Sequence, residues 1–182
     1  MKTLLINPYF SSVTKHERIA LPLGVMYLAS SLEKASFKVE IIDASLGFIR
    51  RIGQEWHYGY TLNELVEEIK ERNPDIVGIG CFFSMRFPAV LEIAREIKKL
   101  NKSTKIVIGG IHPTIFAEQI LNEHSCFDYV VIGEGEHSFV QLHKVLSSGN
   151  FEGLGSIDGI AYRNNGSVRC NPKTTFIEDL DS

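Results

Sequence analysis

The stretch KIVIGGIHPT, Lys105 to Thr114, decides the fold. Ile106–Ile108 is apolar at consecutive positions, so it reads as a strand buried on both faces rather than on one. It ends on Gly109 and Gly110. His112 follows, and Pro113 suits the first position of a short helix over Thr114–Asn122. A doubly buried strand that passes through a short loop into a helix is one unit of an α/β fold with a parallel sheet.

The same order recurs along the chain. Thr3–Ile6 (TLLI) is a strand ended by Asn7-Pro8, and Pro22–Ala35 has helical apolar spacing with a proline near its start. Lys38–Ile42 is the next strand, followed by Asp43. Thr61-Leu-Asn-Glu64 is a capping box that opens a helix to about Arg72, and Asn73-Pro74 stops it. Asp75–Gly80 is the third strand. A helix over Met85–Leu100 follows, with Val90, Ile93, Ala94 and Ile97 on one face. Tyr129–Ile132 and Glu136–Leu146 make the fifth pair. The expected fold is therefore α/β: a five-stranded parallel sheet with helices on both faces. Ala44–Tyr60 is expected to be a long loop. Its Trp56, His57, Tyr58 and Tyr60 leave two readings open, a cover for a ligand or further domain, or a surface loop with a small aromatic cluster.

After Gly149 the alternation stops. Gly159–Arg163 and Ser167–Asn171 flank Asn164-Asn165-Gly166, which reads as a β-hairpin. This divides the chain into an α/β domain over 1–150 and a hairpin over 151–182. The acidic tail of the latter, TTFIEDLDS, reads as the start of a linker.

The bulk composition excludes several classes. The 182 residues are 44% hydrophobic and 23% charged, as for an ordinary globular domain. A net charge of −3 gives no electrostatic case for nucleic acid or an anionic membrane surface. The apolar start MKTLLI is too short for a signal segment, and no run approaches a membrane span, so the expected location is the cytoplasm. Cys81, Cys126 and Cys170 lie far apart with no CxxC pair. That argues against a disulfide framework or a metal or iron–sulfur site built by this chain alone.

In an open parallel sheet, ligands bind beyond the carboxyl ends of the strands. The residues there are Asn7-Pro8 with the loop that reaches Leu21, then Asp43-Ala44-Ser45, and Cys81-Phe82-Phe83-Ser84. Gly109 to Thr114 and Gly133-Glu134-Gly135-Glu136 complete the set. Two glycine-rich loops on one edge suit a ligand that approaches the backbone closely, although glycines also serve plain turns. A dinucleotide fingerprint fails: Asp43 stands in the acidic position but the first loop lacks GxGxxG. GxxxxGK[ST] and GxSxG are both absent. Glu134 and Glu136 could act as acid or base, or simply complement a helix dipole. His112 could touch a ligand, hold a metal or bond the backbone at the helix start. His57, His124, His137 and His143 are expected on exposed loops or helix faces.

Taken together, NPYF, LPLGVMYLASSLEKASFKVEIIDA, NPDIVGIG, IVIGGIHPT, YVVIGEGEHSFVQL, GIAYRNNGSV and IEDLD resemble the N-terminal cobalamin-binding domain of cobalamin-dependent radical SAM proteins. This family includes the anaerobic magnesium-protoporphyrin monomethyl ester cyclase and many methyltransferases. The resemblance implies a flavodoxin-like, Rossmann-like sheet of order 2-1-3-4-5, with cobalamin across its carboxyl edge. It implies that Asn7, Pro8 and the LPLG segment Leu21–Gly24, with Leu23 and Gly24 in it, border the corrin, and that Asp43 and Ala44 are cofactor-binding residues too. Ser84 would bond the dimethylbenzimidazole or its linker, and Phe82 would be a further cofactor-binding residue. Gly109, Gly110, His112 and Thr114 would line the path of the nucleotide tail, and Gly133, Glu134, Gly135 and Glu136 would close the other side. The DxHxxG pattern of other cobalamin domains is absent around His16, which implies base-off cobalamin. CxxxCxxC is also absent. The S-adenosylmethionine and 4Fe-4S cluster of the family would then belong to a further radical SAM domain. The alternative is a module of the same fold that holds no cobalamin, or another flat cofactor, and serves interaction or substrate binding.

Overall fold

Thr3–Asn7 (β1) sits inside a seven-stranded sheet because its side chains find apolar partners on both faces. The computed structural model describes residues 1–15 and 20–176. In chain order they form β1, β2 (Phe10–Ser12), α1 (Leu23–Lys34), β3 (Val39–Asp43), β4 (Ile49–Ile52), β5 (Glu55–Tyr58) and α2 (Leu62–Arg72). Then come β6 (Ile76–Gly80), α3 (Phe87–Leu100), β7 (Lys105–Gly109), α4 (Ile111–Glu123), β8 (Tyr129–Val131), α5 (Glu136–Ser148), β9 (Ile160–Asn164) and β10 (Ser167–Asn171). The main sheet runs β10-β9-β8-β7-β6-β1-β3. Its five central strands, β3-β1-β6-β7-β8, are parallel. Numbered in order of appearance, those five stand as 2-1-3-4-5. The hairpin β9–β10 joins the same sheet by antiparallel pairing with β8.

The alternation of side chains along each strand divides the interior into two cores. Leu4, Ile6, Val77, Ile79, Ile106 and Ile108 pack with α2, α3 and α4 on one face. Leu5, Ile76, Val107 and Val131 pack with α1 and α5 on the other. Burying each such aliphatic side chain stabilises the fold by roughly 1.5–3 kcal/mol. Helix α2 starts as its sequence specifies: the Glu64 amide donates to Thr61 Oγ1 at 3.3 Å and the Thr61 amide donates to Glu64 Oε2 at 2.7 Å. It ends at Asn73, whose left-handed φ of 44° closes the last turn.

Three expectations are corrected. Ala44–Tyr60 is not a loop. Ile49–Ile52 and Glu55–Tyr58 pair as a hairpin around Gly53-Gln54, and β2 completes a small antiparallel sheet ordered β2-β5-β4. Its aromatic content is structural, since Tyr58 is fully buried and stacks on Phe10 with ring centroids 4.7 Å apart. Helix α4 begins at Ile111, three residues before Thr114, and Phe116 (φ −113°, ψ 25°) kinks it. Two histidines expected on the surface are buried. His57 bonds Ser11 Oγ and the Tyr60 carbonyl. His143 bonds Thr3 Oγ1 at 2.9 Å and Ser147 Oγ at 3.1 Å, beneath the Phe37 ring.

Burial holds the His143 pKa below its ordinary value. The unfolded chain therefore binds a proton near pH 6.5 that the folded chain refuses. Stability should be level above that pH and fall as pH drops below it, by at most about 1.4 kcal/mol per pH unit from this group. Urea unfolding between pH 5 and 8 measures this, and His143→Asn should make the acid limb shallower, with the buried His112 keeping its own share.

Candidate functional site

The parallel strands all point their carboxyl ends to one edge, and the loops there hold the polar groups singled out in the sequence. At one corner, Asn7 and Asp43 are the last register pair of β1 and β3. The Asn7 side-chain amide donates to Asp43 Oδ1 at 2.7 Å and to Ser45 Oγ at 3.2 Å. The Ser45 amide and hydroxyl donate to the same Asp43 oxygen, at 3.1 Å and 2.6 Å. Ser45, which the sequence places at this edge, thus joins Asn7 and Asp43 in one hydrogen-bonded trio. Pro8 and Ala44 are buried beneath this corner; the Ala44 carbonyl accepts the Tyr60 amide at 2.9 Å.

At the centre, the loops after β6 and β7 cross. The Cys81 amide donates to the Gly109 carbonyl at 2.7 Å, and the His112 amide to the Cys81 carbonyl at 3.3 Å. Gly110 has φ +111°, and a Cβ there would lie 2.7 Å from the Cys81 carbonyl oxygen. Glycine is therefore required at 110 by this chain's own backbone, whether or not a ligand approaches. His112 Nδ1 pairs with Ser84 Oγ at 2.9 Å, and its ring packs 4.6 Å from Phe87 and 4.9 Å from Phe116. Burial lowers its pKa. Ser84 and His112 therefore form one unit, its serine exposed and its ring largely covered.

The loops after β7 and β8 are tied by Thr114. Its hydroxyl donates to the Gly110 carbonyl at 2.8 Å and accepts from the Gly133 amide at 2.9 Å. Gly133, at φ +69°, lies against the aliphatic stem of Lys173, which a Cβ would approach to 3.2 Å. The Lys173 ammonium reaches Ser138 Oγ at 3.2 Å and Asp158 Oδ2 at 3.4 Å. Asp158 in turn accepts the amides and hydroxyls of both Thr174 and Thr175. The contacts hold its carboxyl well below the usual range, with the Thr174 hydroxyl the leading cause. Residues 173–175 are thereby strapped over the end of β8. Asp158→Ala should release them, read as faster amide exchange at Thr174 and Thr175 and easier proteolysis there, with the rest of the fold retained. Lys173 and Asp158 escaped the sequence reading because they lie far along the chain from the loop they hold. Glu134 and Glu136 follow Gly133, and Glu136 Oε2 is buried without a hydrogen-bond partner among the described residues.

The rest of the edge is apolar and exposed. Leu21, Leu23, Leu46, Phe82, Met85 and Ile111 all stand out to solvent there, Met85 by 82%. Beyond its own helix, Gly24 has no atom of the described residues within 4 Å of where its Cβ would stand. So many large apolar side chains on one edge, drawn from four separate loops and helix starts, mark a surface built to be covered. Among the described residues, no three His, Cys, Asp or Glu side chains stand close enough to hold a metal ion. His16 and residues 177–182 lie outside the described residues.

Residues 13–143 match the family described as the B12 binding domain. The chain belongs to that family. This B12-binding domain is 35% identical, over its whole length, to 37% of an uncharacterized methyltransferase of Pyrococcus horikoshii. It is 28% identical, again over its whole length, to 34% of the anaerobic magnesium-protoporphyrin IX monomethyl ester cyclase of Synechocystis. In fold, 96% of it superimposes with a TM-score of 0.73 on 22% of the cobalamin-dependent S-adenosylmethionine radical enzyme OxsB, at 24% identity. The B12-binding domain thus spans about a third of the length of these curated relatives.

Proposed function

We propose that this chain holds cobalamin across the carboxyl edge of its sheet, as the cofactor-binding part of a longer radical SAM enzyme of the methyltransferase or cyclase kind. One observation carries the reading: a member of the B12-binding family exposes large apolar side chains from several loops on the edge where ligands of such sheets bind. A broad apolar macrocycle fits that band, and the unpartnered acceptors at its margins fit the amide groups around a corrin. Leu23 and Gly24 would border the macrocycle together with Asn7 and Asp43, above the buried Pro8 and Ala44. Phe82, Ser84 and the loops Gly109–Thr114 and Gly133–Glu136 would hold the tail in its base-off form. When bound, cobalamin supplies group-transfer and redox chemistry at cobalt that no side chain can perform.

The protein's own part is to bind, orient and shield. His112 is held by Ser84, so it orients that serine rather than serving as a free base. The domain over 1–150 does the binding, and 151–182 leads toward a further domain that would bring S-adenosylmethionine and a 4Fe-4S cluster. The reading places the protein in the cytoplasm, without nucleic acid or membrane partners. No helix among the described residues is long and apolar enough to cross a membrane.

A second reading, a same-fold module without cobalamin, draws on Gly110 and Gly133. Cys81 and Lys173 already account for both glycines. Mixing the chain with hydroxocobalamin and desalting separates the two. Corrin absorbance retained at one equivalent is expected, and a protein fraction free of corrin would favour the second reading.

A further inference from the structure

The bond directions at the β1–β3 corner follow from chemistry alone. A carboxylate can only accept, so the Asn7 atom 2.7 Å from Asp43 Oδ1 must be its NH2 group. That group also donates to Ser45 Oγ. The Ser45 hydroxyl and amide then both donate to Asp43 Oδ1. Every side-chain donor of the trio, and the Ser45 amide with them, is consumed inside the corner. What remains is Asn7 Oδ1 and Asp43 Oδ2, two acceptors on half-buried side chains with no hydrogen-bond partner among the described residues. At the far side of the same edge, Glu136 Oε2 is a buried acceptor also left unpaired.

We propose that this corner, on the cobalamin reading above, selects a corrinoid whose rim carries carboxamides and rejects one whose rim carries carboxylates. A carboxamide presents N–H donors to Asp43 Oδ2 and Asn7 Oδ1. A carboxylate presents only lone pairs and a like charge to a fixed carboxylate, which both loses the bond and adds repulsion. The corner thus separates the fully amidated cofactor from acid forms of the same size and shape. Contacts through the apolar edge could not make that distinction.

The test is equilibrium binding, by absorbance, of hydroxocobalamin and of its separated rim monocarboxylic acids to the unaltered chain. At least one acid isomer should bind about tenfold more weakly than hydroxocobalamin or worse, the cost of one lost charge-assisted contact. In Asp43→Asn, one side-chain oxygen still accepts from Asn7 and Ser45 while the new NH2 takes the place of the unpartnered Oδ2. The same isomer should then recover and hydroxocobalamin should weaken. Equal affinity for all isomers overturns the proposal while leaving cobalamin binding intact. So does a penalty that Asp43→Asn does not shift. If Asp43→Asn fails to fold, the isomer series on the unaltered chain decides alone. Failure to bind any corrinoid overturns the proposal together with the reading on which it rests.

Discussion

Replacing Gly110 by alanine is expected to lower folding stability by roughly 3 kcal/mol, among the largest costs any single methyl group could impose on this chain. Two terms add. The φ of +111° lies where residues with a Cβ are strained. The new Cβ would also stand 2.7 Å from the Cys81 carbonyl oxygen. That oxygen cannot retreat, because it accepts the His112 amide while the Cys81 amide is tied to Gly109. Relief would require moving the end of β6 or the start of α4, and with them the Ser84–His112 pair. The control is Gly24→Ala. None of the described residues outside its own helix lies near that position, and alanine is the better helix former by up to about 1 kcal/mol. Urea unfolding of the two variants should move the midpoint in opposite directions. Equal midpoints would show that the crossing of the two loops is not rigid.

The second large effect is on binding. The double substitution Phe82→Asp and Met85→Asp should weaken hydroxocobalamin binding at least a hundredfold while leaving the unfolding midpoint nearly unchanged. Both side chains are largely exposed, so the fold does not rely on them. Covering each apolar side chain contributes roughly 1.5–3 kcal/mol, so losing two such contacts easily accounts for that factor. Titration by corrin absorbance measures it. Unchanged affinity would place the cofactor elsewhere.

The parallel sheet was legible because its strands are buried on both faces. Thr3–Ile6, Asp75–Gly80 and Ile106–Ile108 are unbroken apolar runs or nearly so, and only a sheet covered by helices uses them. The capping box at Thr61 was legible because it is local. The hairpin of β4 and β5 was missed: IRRI and EWHY mix charged and apolar residues without strict alternation, and their two-residue Gly53-Gln54 turn was the available signal. The buried histidines were missed because burial of a polar ring depends on distant partners. His143 is satisfied by Thr3, at the other end of the chain.

The site shows the same division. Which loops meet at the carboxyl edge follows from the order of strands and helices, and so could be read in advance. Why glycine stands at 110 could not, because the clashing atom belongs to Cys81 on another loop. Nor could the reason for Gly133, because Lys173 arrives from beyond the hairpin. Glycines that look like space left for a ligand are, at these two positions, space filled by the protein itself.

The most direct test of the central claim is amide hydrogen exchange of the chain with and without saturating hydroxocobalamin. Cobalamin across the carboxyl edge predicts slowed exchange concentrated at residues 81–86, 109–116 and 133–136, with the amino ends of the strands unchanged. Protection centred instead on the cleft lined by Tyr129, Phe151, Tyr162 and Arg169, or no protection at all, would contradict it.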